Sequence, residues 1–542
     1  MSGFTELVSK YLEMEWQADP VMASTQGVHK YDAFLPDASP EAADSLRGAR
    51  KNILARFKAL QDTALTEAES FDRDVVISEL ETLLKADELD LMRRAAFNYS
   101  EIACRALNIL FERDYAPLEE RMESLLERLR GLPAYIAQGQ RNVTPECPPL
   151  WVDIALAGCA GGLTYLSDAL PRIAARVPSM EEEILKEARK VASALEEYAA
   201  FLRELKPKAR GHFGIGKDHL DFLLKVQHGL DMDSSDLEAF GRDQVAAYTR
   251  KLEELAKRVD PSKNWVQLVE EAKDRFPPPA ELLAYYQKEI DDCREFVIER
   301  DLVTIPPGET CVMAPTPVFL LSRYPMGYFN SVRPFEDGEN RGMWYMTPVD
   351  LTRPESEQVS HMRDHNYGFM RSITLHETYP GHHLQLYTQK LNPSLVRRRA
   401  HNTVYIEGWG LYTEELMWEE GYLNDTDARL IQLKNGLWRA VRILIDVGLH
   451  TRTMTFEEAV RLLVDHVRFE PGWAAGEIRR YTTSPTQPSS YLVGKDEILK
   501  LRAKCAEMMG DRFTLKGFHD KFLSYGGVPL PMVARDMLKG GR

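Results

Sequence analysis

The chain has 542 residues, 44% hydrophobic and 28% charged, enough to build one large domain or several smaller ones. Its 83 acidic against 68 basic residues give a net charge of −15, a surface that repels phosphate backbones, so nucleic acid is not an expected partner. No run of 18 or more uninterrupted apolar residues occurs, and the six cysteines at 104, 147, 159, 293, 311 and 505 form no Cys-x-x-Cys pair, which argues against a disulfide framework or a thiolate metal site.

The opening residues, Met1-Ser-Gly-Phe-Thr-Glu-Leu, have no basic patch followed by an apolar stretch and a cleavage site, and the expectation is a cytoplasmic protein with no membrane partner. From residue 1 to about 300 the pattern is helical. Tyr99, Ile102, Ala103, Ala106, Ile109 and Leu110 recur at the i, i+3, i+4, i+7 spacing of one buried stripe. Breaks are expected at Thr144 to Leu150, at Lys206 to Lys217, and at Phe276 to Pro279, after which Glu281 can open a helix; Asp233 reads as an N-cap. Between about 303 and 350 the texture becomes loops with short strands, and Met343 to Thr347 reads either as an edge strand beside a cleft, with Tyr345 a candidate for contact with substrate, or equally as a strand packed in the core. Helical pattern returns at about 366 and is interrupted by a Pro-, Ser- and Thr-rich loop from Thr482 to Ser490. The expected fold class is mainly α: a single unit over 1–542, with a helical scaffold over 1–300, a metal-site region over 301–542, and a few short strands near the active site.

The densest cluster of possible ligands is His376-Glu377-Thr378-Tyr379-Pro380-Gly381-His382-His383. In the familiar zinc-peptidase pattern, histidines at i and i+4 of a helix face one metal and the intervening glutamate reaches a water. Here i+4 is Pro380. His376 and His382, six apart, would lie on different faces of an ideal helix, whereas His383 at i+7 would share a face with His376. Pro380 removes an amide hydrogen and Gly381 frees the backbone, so a bulge or kink between the histidines is expected, and both His382 and His383 stand as second ligand. A hydrolytic site wants a third ligand, commonly a carboxylate, and an open position. Glu407, on a helix that Asn402 can cap, is preferred as ligand over Glu414; Glu414, two turns on along the same face, could orient a ligating histidine or be only a solvated charge.

At these residues the chain resembles the bacterial family known as domain of unknown function 885, through HETYPGHHLQ (376–385), YIEGWGLYTEE (405–415), RILIDVGLH (442–450), RYTTSPTQPSSYLVGK (480–495) and GIGKDHLDFLLK (214–225). That family is in turn similar to helical, deep-clefted zinc peptidases of the gluzincin type, such as angiotensin-converting enzyme, oligopeptidases and thermostable carboxypeptidases. The resemblance implies an almost all-helical fold with a deep cleft, His376, His382 and Glu407 as zinc ligands, and Glu377 as general base. It also implies a tyrosine, here Tyr491, that hydrogen-bonds the tetrahedral intermediate. The two residues inserted after Glu377 depart from the standard spacing. Arg480 is a candidate for a substrate carboxylate or, equally, for a salt bridge to a neighbouring acid, and Asp446 with His450 for holding a ligand or pairing within a helix.

The expected activity is zinc-dependent hydrolysis of a peptide or small amide, carboxypeptidase-like or oligopeptidase-like. Hydrolysis of an amino-acid conjugate and a catalytically silent helical binding protein are the alternatives. The sequence does not give the oligomeric state.

Overall fold

Helix boundaries follow local chemistry in the computed structural model, which describes residues 3–316, 327–338 and 340–539. Thr66, Asp233, Asn264 and Thr455 each precede a helix and accept the amide of the third helical residue, whose side chain returns a bond to the cap. Pro149, Pro178 and Pro471 open helices at the first turn, where their missing amide hydrogen is no loss. The result is mainly helical, with one small three-stranded sheet.

The chain divides into two units, one built on Met1–Phe213 with Arg333–Glu339, the other on Gly214–Pro317, Tyr324–Val332 and Asn340–Arg542. The change of texture read near residue 303 therefore lies inside the second unit; part of that stretch, 317–326, falls outside the described residues.

In the first unit the helix Ala96–Asn108 buries Tyr99, Ala103 and Ala106 of the expected stripe, with Leu107 beside them and Ile102 only half-buried, and packs against Pro149–Thr164. The latter, continued to Ala174, is the one described helix long and apolar enough by length and composition to cross a bilayer; Trp151, Val152, Ala155 and Cys159 on it are buried in the unit's core. A charged cluster ties Arg333–Glu339 to the N-terminal segment. His29 donates Nδ1–H to Asp32 and Nε2–H to Glu336, both at 2.9 Å, and stacks on Tyr115 with centroids 3.6 Å apart.

In the second unit the helix Thr426–His450 is buried along most of its length and packs against Ser234–Val259. Thr403–Glu419 crosses Gln487–Met509 where Gly408 meets Gly494, so closely that a Cβ on Gly408 would lie 2.5 Å from the Gly494 Cα. The sheet has the order β1-β3-β2: β1 (Thr310–Pro315) pairs parallel with β3 (Arg341–Met346), and β2 (Gly327–Asn330) pairs antiparallel with it. The aromatic strand is thus central rather than an edge, because β2, too short to stand out in the sequence, covers its second side.

Burial lowers the His29 pKa, but Asp32 and Glu336 outweigh it and raise it from 6.5 to about 9. The folded value is the higher one, so the stabilisation is complete below about pH 6.5 and is lost as pH rises through 9; it amounts to at most about 3 kcal/mol. Urea titrations of wild type and His29→Gln should show a stability gap at pH 6 that closes by pH 10. An equal gap at both pH values would reject this role for the imidazolium.

Candidate metal centre

Asn366 caps the helix Tyr367–Glu377 by accepting the Phe369 amide at 2.9 Å. The helix ends at Glu377. Pro380 cannot supply the next amide, and the Gly381 amide turns back to the Leu375 carbonyl at 3.1 Å. Gly381 sits so tightly on this end that a Cβ there would lie 1.9 Å from the His376 carbonyl oxygen. A new helix, His382–Lys390, begins at once. The expected bulge is therefore a full stop and restart, which swings His382 back towards His376. Trp409 fastens the connection by donating to the Pro380 carbonyl at 2.8 Å.

The two adjacent histidines part company. His382 faces His376, ring centroids 4.7 Å apart and planes nearly perpendicular. His383 points away: its Nε2 pairs with Glu309 at 2.7 Å, and its Nδ1 lies against Gly342 of β3, where a Cβ would stand 2.4 Å from it. Glu309 also accepts from Arg294 at 3.1 Å and from the Tyr379 hydroxyl, so one buried carboxylate before β1 anchors two residues of the connection. The ideal-helix argument for His383 as second ligand fails because the helix does not continue.

Glu407 comes from the helix Thr403–Glu419, capped by Asn402. Its Oε2 lies 3.4 Å from His382 Nε2 and 3.9 Å from His376 Nε2. Among the described residues, these three offer ligand atoms that all lie within 4.8 Å of one another. Tetrahedral ligands about 2.0–2.1 Å from zinc stand roughly 3.3–3.4 Å apart, so a small inward movement would suffice. Gly410, one turn beyond Glu407, leaves the room that the His376 ring fills, since a Cβ there would be 2.7 Å from the imidazole.

The outer ring nitrogens are committed. His376 Nδ1–H donates to Glu414 at 2.9 Å, and Glu414 also accepts from Ser372 at 3.1 Å. Because an ionised carboxylate only accepts, Nδ1 carries a proton whether the ring is charged or neutral, and loss of the Nε2 proton, which ion binding requires, leaves a lone pair facing Glu407. His382 Nδ1 meets the Gln385 Oε1 at 3.1 Å, with that amide oriented by donating to the Tyr405 carbonyl at 3.5 Å. Both histidines thus carry the outer hydrogen bond that fixes ligating imidazoles. Burial lowers the His376 pKa, yet Glu407 and Glu414 raise it to about 10; burial likewise opposes the charge of Glu407, but the two imidazoles hold it well below the usual range. Carboxylates outnumber cations around the imidazoles, which suits a divalent ion.

Glu377 ends its helix half-buried, with its charge acting on both His376 and Cys311. Tyr491 stacks over His376, centroids 6.2 Å apart. Gln487 links them: its Nε2 donates to Glu407 Oε1 and to the Tyr491 hydroxyl, both at 3.2 Å. The helix carrying both starts at Gln487, with Pro488 in its first turn, so the loop expected to reach Ser490 is shorter. Asp446 and His450 lie behind this turn. Asp446 accepts from Ser489 at 2.7 Å and the Thr486 amide at 3.2 Å, while His450 bonds the Tyr481 carbonyl at 3.1 Å.

Two expected substrate contacts are engaged by other side chains, and Arg480 reaches the centre only through Gln487. Arg480 is engaged by Glu477 at 2.8 Å and by Gln487 at 3.1 Å. Tyr345 stacks on Tyr328, on the face of β3 opposite Gly342 and Trp344. Sequence reasoning passed over Gln385, Gln487, Glu309 and Arg439. Only Arg439, three before Arg442 on an apolar helix, left a signal that spacing could have raised.

The chain matches the model of the family described as "Bacterial protein of unknown function (DUF885)" over residues 20–537. It belongs to that family. It is also similar to two solved structures, each described as that of a "putative lipoprotein". The one from Shewanella oneidensis, of unknown function, is 24% identical with a TM-score of 0.83, covering 99% of this chain and 100% of that one. The one from Colwellia psychrerythraea is 20% identical with a TM-score of 0.85, covering 99% of both. At these identities the likeness is one of fold. No curated protein matches.

Plasma mass spectrometry after dialysis against zinc should find a single zinc per chain in wild type and none in His376→Ala or Glu407→Ala. Glu414→Gln, which keeps every ligand but weakens the hold on His376, should lose about 10- to 100-fold in metal affinity. Unchanged affinity in that variant would remove Glu414 from the site.

Proposed function

We propose that this protein is a zinc-dependent hydrolase of amide bonds, acting on peptides or small amides through a gluzincin-like set of residues. The observation that carries the reading is the commitment of both outer ring nitrogens, to Glu414 and Gln385, with the inner Nε2 atoms of His376 and His382 turned to Glu407. A structural tether would need no carboxylate beyond its ligands, and Glu377 stands beside the set.

His376, His382 and Glu407 would hold the ion, which supplies Lewis acidity, lowering the pKa of water to about 7 and polarising a carbonyl. Glu377 takes a proton from the attacking water and returns it to the leaving amine. Tyr491, whose hydroxyl oxygen accepts from Gln487, keeps its own proton to donate to the developing oxyanion. Gln487 holds Tyr491 and Glu407 in fixed relation, and the Asp446 and Ser489 contact holds the turn from which Gln487 projects.

With zinc-loaded protein and a panel of acylated peptides, Glu377→Gln should lower kcat by about 10²- to 10⁴-fold while zinc content stays at the wild-type level. Tyr491→Phe should lower kcat by about 10²-fold or more. Undiminished turnover in Glu377→Gln, or a zinc-loaded wild type inert towards every amide, would overturn the reading.

A further inference from the structure

Beside the metal centre, the helix Thr426–His450 carries Arg439 and Arg442, one turn apart on the same side. They are 6% and 1% exposed. Among the described residues neither has a carboxylate at salt-bridge distance, and in each the Nε–H is buried without an acceptor. The nearby acid Glu477 already accepts from Arg480 and, at 2.7 Å, from the Tyr481 hydroxyl. A buried guanidinium is costly without an anionic partner, and two such groups together are more so.

Aromatic rings cover the faces of these guanidinium groups. Arg442 lies 4.2 Å from the ring centre of Tyr491, 5.1 Å from Tyr481 and 5.2 Å from Trp438; Arg439 lies 4.5 Å from Trp438 and 5.7 Å from Tyr491. With the faces stacked, only the N–H edges remain for recognition. Arg442 gives one Nη2 bond to the Gln487 Oε1 at 3.2 Å, and Arg439 one Nη1 bond to the Asn435 carbonyl at 3.3 Å. Edge donors of this kind suit a carboxylate, which accepts two parallel bonds from one guanidinium.

The distance to the centre is set by Gln487, whose amide oxygen accepts from Arg442 and whose amide nitrogen donates to Glu407. Two 3.2 Å hydrogen bonds through one side-chain amide therefore separate the arginine edge from a candidate metal ligand, room for a bound carboxylate and the one residue that joins it to an amide bond. Resting on the amide-hydrolase reading above, we infer that Arg442 and Arg439 receive a substrate carboxylate one residue beyond the cleaved amide. The substrates are N-acyl amino acids, or short peptides cleaved at their last bond. Arg480 reaches the same Gln487 oxygen at 3.1 Å, but its charge is already met by Glu477, so the pair without a counter-charge takes the carboxylate.

The test uses zinc-loaded full-length protein and N-acetyl dipeptides with each common C-terminal residue, supplied as free acids and as C-terminal amides. Release of the last residue is followed by mass spectrometry. The best free acid should exceed its amide by about tenfold or more in kcat/KM, chiefly through KM, and the ratio should fall towards one in Arg442→Gln. Amides cleaved as well as acids by wild type would overturn the inference. So would an unchanged ratio in both Arg442→Gln and Arg439→Gln, provided that they keep wild-type circular dichroism and zinc content. If neither form is cleaved, the hydrolase reading fails, and calorimetric titration of the same acids and amides into the zinc-loaded protein decides the carboxylate site. Acid-selective binding lost in Arg442→Gln upholds it; equal binding of both forms, or binding of neither, rejects it.

Discussion

The close approach of Gly381 to the end of the His376 helix governs the candidate centre. Its α-carbon rests against the Leu375 and His376 carbonyls at a separation that no side chain permits, and Pro380 before it withdraws the amide that would have carried the helix on. The chain must stop and turn there. One consequence is that His382, six residues from His376, opens the next helix facing it; another is that Glu377 is left at a helix terminus beside the ligand set.

The environment of the centre comes from three further helices of the second unit, each adding a residue that polarises or orients. Thr403–Glu419 gives Glu407 to one side of His376 and Glu414 to the other, with Gly410 making space for the ring between them. Gln487–Met509 gives Gln487 and Tyr491, and Thr426–His450 gives the buried arginines. Carboxylates dominate around the imidazoles, and guanidinium groups dominate beyond Tyr491. Negative groups thus gather on one side of Gln487 and positive groups on the other, and Gln487 bridges the two through the opposite ends of its amide.

Much of this was legible in the residues themselves. The 3.6-residue stripe from Tyr99, the Asp233 and Asn402 caps, and the break before Glu281 appear where periodicity and capping chemistry put them, because these depend on neighbours within a few positions. The cluster of His376, Glu377, His382 and Glu407 was visible by composition. Its spacing from Glu407 put Glu414 on the same helix face but left it open between a partner of His376 and a solvated charge, and the contact with His376 decides this.

What only the tertiary structure decided depends on groups distant in sequence. Helix geometry left both His382 and His383 open, and only the family resemblance favoured His382. Glu309, 74 residues before His383 and unremarkable in its own context, draws that imidazole to the far side, and Gly342 on β3 closes the space around it. The sequence offered Arg480 for a carboxylate or for a salt bridge, and Glu477, one turn away, takes it, while Arg439 and Arg442 make no salt bridge among the described residues: Asp446, four positions after Arg442, accepts from Ser489 and the Thr486 amide instead. Local spacing fixes which residues share a helix face; which side chain finds a counter-charge is fixed by packing, since the partner arrives from another element and its burial sets the strength of the interaction.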